Sequence, residues 1–400
     1  MYNIGIIGNG SGALVSILAL INASKREELP IKITCIYDPT IPTIEVGEST
    51  SSAVLFLLTQ VLDFRIVKHL LEIDGTLKYG TKYINWSTTN NDFYVCHIDP
   101  ALHLNSAKFS KWGIKKVLEK YEETFSLIKD NVKEVKNNNN RVDVVGETQT
   151  YQFDYVIDCT GFPSNHTFDM NEYSVPDFLS VNSVILLPKK ELNNPNEYYT
   201  SATTHENGWM FTIPLTTRTT SGYLYNNSIT SYEEALSDFC NLKNIDISSG
   251  KSLRNFSWSP LYRKTVIDEK IIYCGNKLFF FEPSQGFPLH YYAVIIDILI
   301  SKLKENPSLV ENELNVFYNE AINSVQDVIA LTYQSNTKYK SDFWKLTKER
   351  SYNKLMNSKP FINWCKNKDT LTHYSSHSNE ILMSLIDGMN IDLSTFTEKV

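Results

Sequence analysis

Hydrophobic positions are densest at the start of the chain, and their spacing changes within the first forty or so residues. Residues Tyr2 to Ile7 are rich in isoleucine with little alternation, as in a strand buried on both faces, and Leu14 to Ser24 then carry apolar side chains at helical spacing. A second strand is predicted over Ile31 to Tyr37. Strand, glycine turn, helix and strand within about 40 residues predict the opening βαβ unit of a doubly wound sheet.

Further along, Ser51 to Glu72 has helical periodicity, and Lys78 to Trp86 and Phe93 to Ile98 read as strands flanking the polar turn Ser87 to Asp92. The asparagines Asn137 to Asn140, between Val132–Val135 and Val142–Val145, predict a hairpin loop. A buried strand follows at Tyr155 to Cys159. Later strands around Trp209–Ile213, Ser221–Tyr225 and Lys270–Tyr273 imply a substantial second sheet. Beyond Tyr291 the pattern becomes helical, punctuated by Pro307, Pro360 and Gly388. The expected architecture is α/β. A discontinuous Rossmann-like domain covers 1–86, 151–166 and 265–303, a substrate-side β-sheet region is inserted over 87–150 and 167–264, and a helical cap covers 304–400.

Charge and cysteine usage narrow the partners. A net charge of -7 lacks the clustered basic face that polyanion binding needs, which argues against nucleic acid. The six cysteines are scattered without a C-x-x-C pair, so reduced thiols and a cytoplasmic location are expected. The apolar stretch Tyr291 to Leu303 is broken by Asp297 and is shorter than the roughly 20 residues of a membrane span, so no membrane association is expected. The eight histidines show no metal-ligand spacing, and no metal is expected. The oligomeric state is left open, a homo-oligomer included.

The strongest local motif is Gly8-Asn9-Gly10-Ser11-Gly12-Ala13, set between a strand and a helix. That is the context in which G-x-G-x-x-G/A binds a dinucleotide. The first glycine permits the turn, the second lets backbone approach a pyrophosphate, and the small Ala13 allows close helix packing. An ordinary glycine turn is the plain alternative. At the end of the second strand, Tyr37 and Asp38 are the candidates for a ribose contact; Asp38 is the better acceptor, and a solvated carboxylate opening a turn explains it equally well.

Several segments taken together resemble the flavin-dependent tryptophan halogenase family. Ile41-Pro42-Thr43-Ile44-Glu45-Val46-Gly47-Glu48-Ser49-Thr50 is similar to the segment that family places beside the flavin. Gly80-Thr81-Lys82-Tyr83-Ile84-Asn85-Trp86 resembles its lysine-bearing strand, and Gly208-Trp209-Met210-Phe211-Thr212-Ile213-Pro214 its G-W-x-W-x-I-P signature, with Phe211 in place of the second tryptophan. Asp158-Cys159-Thr160-Gly161 resembles a strand end common to FAD enzymes of this fold. The stretch from Cys274-Gly275-Asn276 to Glu282-Pro283-Ser284-Gln285-Gly286-Phe287-Pro288-Leu289-His290 resembles the flavin-contacting turn.

The resemblance implies FAD, reduced by a separate flavin reductase, held by Gly8, Gly10, Ser11, Gly12, Ala13, Tyr37, Asp38, Val46, Gly47, Glu48, Ser49, Gly161, Gly275, Asn276, Pro283 and Gly286. It implies that reduced FAD, oxygen and a halide ion make hypohalous acid, which Lys82 passes to a small electron-rich aromatic substrate. Trp86, Trp209, Phe211 and His290 are the implied wall and substrate residues. By ungapped counting Gln285 takes the place of the family's active-site glutamate, and Phe287 and Pro288 fall at the halide site. A glutamine cannot accept a proton as a carboxylate can, and a proline offers no N–H to an anion.

On the two-residue period of a strand, Lys82, Ile84 and Trp86 share one face. This predicts a lysine desolvated by apolar neighbours, with a lowered pKa; a surface lysine with a solvated head is the alternative. Gln285 and Pro288 also motivate two other readings, a halide-independent FAD monooxygenase or oxidase and a catalytically silent flavin-binding protein.

Overall fold

The computed structural model describes residues 1–41, 47–89, 92–162, 168–178, 180–189, 197–246, 253–283, 286–367 and 379–397. The predicted βαβ unit is present as strand Tyr2–Ile7, helix Ser11–Arg26 and strand Ile31–Tyr37. These belong to a six-stranded sheet whose order is 267–268, 271–273, 155–158, 2–7, 31–37, 125–129. All neighbours in it pair parallel except the outer strand Ile267–Asp268. Helix Ser11–Arg26 packs against helix Phe287–Glu305, and a three-stranded antiparallel meander follows at Val132–Asn138, Arg141–Gly146 and Thr150–Phe153. The predicted asparagine loop joins the first two of these strands, with Asn139 and Asn140 at positive φ.

An eight-stranded sheet forms the second layer, in the order 254–257, 183–189, 219–225, 208–214, 199–205, 76–84, 92–105, 47–49. It takes up strands Gly47–Ser49 and Thr76–Ile84, which the sequence pattern had grouped with the first sheet. Conversely, strand Phe125–Lys129, grouped there with the second region, pairs with Ile31–Tyr37 in the first. The two sheets therefore exchange segments. The long strand Asp92–Asn105 carries the exchange, because its end feeds helix Ser106–Lys120, which lies against helix Ser11–Arg26. The expected helix over Ser51 to Glu72 is two, Ser52–Leu62 and Ile66–His69, separated where Asp63 turns left-handed at φ 51°. Toward the C-terminus the chain is helical, with Val310–Thr332, Asp342–Asn357, Lys359–Asn367 and Asn379–Met389. Among the described residues no helix is long and apolar enough to cross a membrane.

Candidate active site

The glycine motif closes the end of the first strand. Gly8 has φ 103° and donates its N–H to the Ile36 carbonyl at 2.8 Å; a Cβ there would lie 3.0 Å from the Cys159 carbonyl oxygen. Helix Ser11–Arg26 begins with Gly10 at its cap and no side chain bonded to its first amides, which leaves donors and the positive end of the helix dipole available. A Cβ added to Gly10 or Gly161 would meet nothing within 4 Å, so both border open space. Gly275, at φ 71°, comes close to the Cys159 carbonyl, and a Cβ on Gly12 would sit 3.5 Å from Gly275 Cα. Gly8 and Gly12 thus meet Gly275, far away in sequence, beside the Cys159 carbonyl, in a crevice at the ends of the parallel strands 2–7, 155–158 and 271–273. A dinucleotide diphosphate fits such a crevice. Nearby, a cavity of about 310 Å³ is lined by Ile7, Lys133, Asp158, Arg263, Tyr273 and Lys277.

Asp38 accepts from the Thr40 amide at 2.8 Å and the Thr40 hydroxyl at 2.7 Å, and these bonds hold its pKa below the ordinary value. Its carboxylate therefore organises its own turn. Tyr37, half-buried, ends the second strand beside Lys129.

The segment 47–49 forms the edge strand of the second sheet. Gly47, Glu48 and Ser49 pair with Asn105, Leu104 and His103, and the Thr50 amide donates to the Leu102 carbonyl at 2.9 Å. Gly286, at φ 71°, rests on this segment so closely that a Cβ there would fall 2.6 Å from the Ser49 carbonyl oxygen. The two family-like flavin segments are thereby in direct contact. Directly beneath them lies Lys78, 1% exposed, whose Nζ donates to the Thr50 carbonyl at 3.3 Å. Burial pushes its pKa down to about 7. Burial, with the lysine's charge second, also lowers His97 to about 4 and holds His103 well below its ordinary value, so both rings are neutral. His103 sits between the hydroxyls of Thr76 at 3.1 Å and Thr200 at 2.9 Å, and Thr200 donates to the Ser49 hydroxyl at 3.4 Å.

Lys82 is not the desolvated lysine that the strand period predicts. Its ammonium pairs with Asp92 at 3.0 Å and faces the Tyr94 ring at 5.8 Å, its side chain is 29% exposed, and the bond to Asp92 raises its pKa. The cause is a bulge. The register of strand Thr76–Ile84 against Asp92–Asn105 shifts between Lys78 and Gly80, so the buried face passes from Lys78 to Thr81 and Tyr83. A one-residue slip turns every later side chain over. Gly80 inside the strand was the available signal.

The implied wall residues are tightly packed. Trp86 and Trp209 are buried with ring centroids 6.3 Å apart; Trp86 Nε1 donates to the Ala202 carbonyl at 2.9 Å and Trp209 Nε1 to the Tyr333 hydroxyl at 3.3 Å. Phe211 lies over Gly222 and leaves no room for a Cβ there. Sequence reasoning missed Glu282, whose buried carboxyl accepts from the Tyr333 hydroxyl at 2.6 Å and is pushed up to about 8 by burial. It bonds a residue some fifty positions away, which local pattern cannot reveal.

A family model described as tryptophan halogenase matches residues 3–97 and 91–381. The chain belongs to the tryptophan halogenase family. Among curated members of that family, it is 24% identical over 215 residues to a tryptophan 7-halogenase of Kutzneria sp. (strain 744), covering 50% of this chain and 39% of that enzyme. It is 21% identical over 270 residues to a tryptophan 7-halogenase of Lentzea aerocolonigenes, covering 64% and 48%. The chain thus spans half or less of the first curated relatives it matches. Its fold is that of the tryptophan halogenase from Shewanella frigidimarina NCIMB 400, with TM-score 0.84, 18% identity and 98% and 89% of the two chains covered. It is also that of a flavin-dependent halogenase from Brevundimonas sp. BAL3, with TM-score 0.80, 16% identity and 100% and 94% covered.

Within this tryptophan halogenase fold, Val46 and Gln285 lie outside the described residues. Pro283 is exposed, and Pro288 occupies the first turn of helix Phe287–Glu305, where a missing N–H costs the helix nothing. His290 is half-buried, edge-on to Tyr291 with centroids 5.7 Å apart, and burial keeps it neutral.

Proposed function

We propose that this protein is a flavin-dependent halogenase of an electron-rich aromatic substrate in which Lys78, not Lys82, is the catalytic lysine. The observation that carries the reading is the buried Lys78 amine, held by the Thr50 carbonyl beneath the contact of Ser49 with Gly286. FAD, when bound and reduced by a separate reductase, supplies with oxygen and halide the hypohalous acid.

The chain's own residues do the rest. The crevice of Gly8, Gly10, Gly12, Gly161 and Gly275 holds the dinucleotide, with Gly47, Glu48, Ser49 and Gly286 on its flavin side. Lys78, poised between amine and ammonium near neutral pH, presents a nucleophilic nitrogen or a hydrogen-bond donor to the oxidant in a site that excludes water. His97 and His103, both neutral, add no positive charge beside it. Glu282, a carboxyl retained near the Trp209 wall, is the remaining candidate acid or base where the family's glutamate position carries Gln285. We place the halide near the backbone of Gly286 and Phe287.

The test is mass-spectrometric turnover with FAD, a flavin reductase, NADH and bromide or iodide on a panel of indoles and phenols, with catalase present. Halogenated product is expected from the wild type and Lys82→Ala, and none from Lys78→Ala that still binds FAD. Loss in Lys82→Ala with retention in Lys78→Ala would reverse the assignment. Halide-independent oxygenated product would replace halogenation with monooxygenation, and flavin cycling without product would leave a flavin-binding protein.

A further inference from the structure

Two thiols stand side by side at the strand ends beneath the cofactor crevice. Strands Tyr155–Asp158 and Ile271–Tyr273 pair in parallel, with Ile157 opposite Ile272 and Asp158 opposite Tyr273. The ladder runs one residue further: the Cys274 amide donates to the Asp158 carbonyl at 2.9 Å, and in the other direction the Val156 amide donates to the Lys270 carbonyl at 3.0 Å. Cys159 and Cys274 are therefore the next opposed pair. They lie two residues past Ile157 and Ile272, so both side chains leave the same face of the sheet. That face meets helix Ser11–Arg26, where Cys159 Sγ lies 3.9 Å from the Ser16 hydroxyl. Neighbouring strands run about 4.8 Å apart, inside the span of about 4.4–6.8 Å between the Cα atoms of a disulfide. Both cysteines are free in the structure, Cys159 half-buried and Cys274 fully buried.

The pair sits where a small movement matters. The Cys159 carbonyl oxygen lies 3.0 Å from where a Gly8 Cβ would stand and 3.5 Å from a Gly275 Cβ, and Gly275 directly follows Cys274. A disulfide needs its Cβ atoms about 3.5–4.5 Å apart, closer than strand spacing holds them. Joining the thiols draws the two strand ends together and shifts the glycines that shape the diphosphate's seat. Resting on the FAD and halide reading above, we propose that Cys159 and Cys274 are a redox-modified pair, joined by escaped hypohalous acid in the FAD-free protein, and that their disulfide closes the cofactor crevice. Cys159, the less buried thiol, takes the halogen from hypohalous acid and its proton leaves in water. The Cys274 sulfur then attacks the halogenated sulfur, forming the S–S bond and releasing halide and a proton. Two thiols are oxidised to a disulfide, and hypohalous acid is reduced to halide and water. The neighbouring Cys274 thiol, then burial, holds Cys159 well above the ordinary thiol value, so it reacts as a neutral thiol. Mild peroxide, which needs the thiolate, is then a slow oxidant, and a strong electrophile is the fitting one. FAD seated over the glycines shields the pair.

The test uses the full chain carrying Cys96→Ser, which removes the exposed thiol that competes for oxidant. Hypochlorous acid is added in equimolar amount to the FAD-free protein; peptide mapping then reads the thiols and flavin fluorescence the binding of FAD. Expected are a peptide cross-linked between Cys159 and Cys274, loss of most FAD binding, reversal of both by dithiothreitol, and protection when FAD is added first. Cys159→Ser and Cys274→Ser, each in this background, are expected to keep FAD binding through the same treatment. No cross-link, a cross-link to Cys35 instead, or a Cys159–Cys274 cross-link that leaves FAD affinity unchanged overturns the proposal and leaves the FAD reading standing. Fully reduced protein that binds no FAD overturns both.

Discussion

Two buried ionisable side chains, Lys78 and Glu282, are pushed toward the neutral form for the same reason, loss of water around the charge. Their stability effects have opposite signs. Glu282 binds its proton more tightly folded, near 8, than at an ordinary carboxyl value of 4.5, so its contribution falls as pH rises from about 4.5 through 8. Glu282→Gln should remove that loss, which reaches at most about 1.4 kcal/mol per pH unit. Thermal melts of the two proteins at pH 5 and pH 8 check this: the variant should gain relative to wild type only at the higher pH. Lys78 behaves in reverse. Folded, it gives up its proton near 7 rather than 10.5, so stability rises with pH between those values, and Lys78→Met should stabilise most below pH 7. Melts in which Lys78→Met gains equally at pH 6 and pH 10 would remove the argument for a depressed lysine.

At the scale of elements, the strand Thr76–Ile84 decides which lysine faces the site. Gly80 holds φ 155°, and a Cβ there would fall 2.1 Å from the Val95 carbonyl oxygen. Gly80→Ala should cost roughly 1–3 kcal/mol from the backbone conformation alone and disturb Lys78 through the lost bulge. Denaturant unfolding measures the first effect, and the activity of the folded fraction the second. Gly286→Ala is a parallel case at φ 71° against the Ser49 carbonyl; it should weaken FAD binding, read by flavin fluorescence, more than it lowers the melting temperature. Unchanged affinity in Gly286→Ala would separate this turn from the flavin.

Across the whole molecule, one buried core runs from Ile4 of the first sheet through Trp86 and Trp209 of the second to Trp344 and Phe396 of the cap. Trp344 joins the cap to the second sheet by packing on Trp86, with centroids 6.0 Å apart, and by its Nε1 bond to the His205 carbonyl at 2.8 Å. A continuous core predicts one cooperative transition, with far-ultraviolet dichroism and tryptophan fluorescence melting together. Trp344→Ala should lower stability by about 3–5 kcal/mol without splitting it. Two separate transitions in wild type would show instead that the cap unfolds on its own.

The sequence by itself determined what depends on neighbours along the chain. The isoleucine run Tyr2–Ile7, the motif Gly8 to Ala13 and the strand Ile31–Tyr37 form the predicted βαβ unit because spacing and glycine content act locally. The asparagine hairpin and the C-terminal helices follow for the same reason. Only the tertiary structure decided which residues meet. It took strands 47–49 and 76–84 into the second sheet, turned Lys78 inward and Lys82 outward at a bulge, and set Glu282 against Tyr333. Each of these outcomes depends on pairing between distant segments. Burial, which sets the charge of an ionisable group, is a property of that pairing and not of the residue.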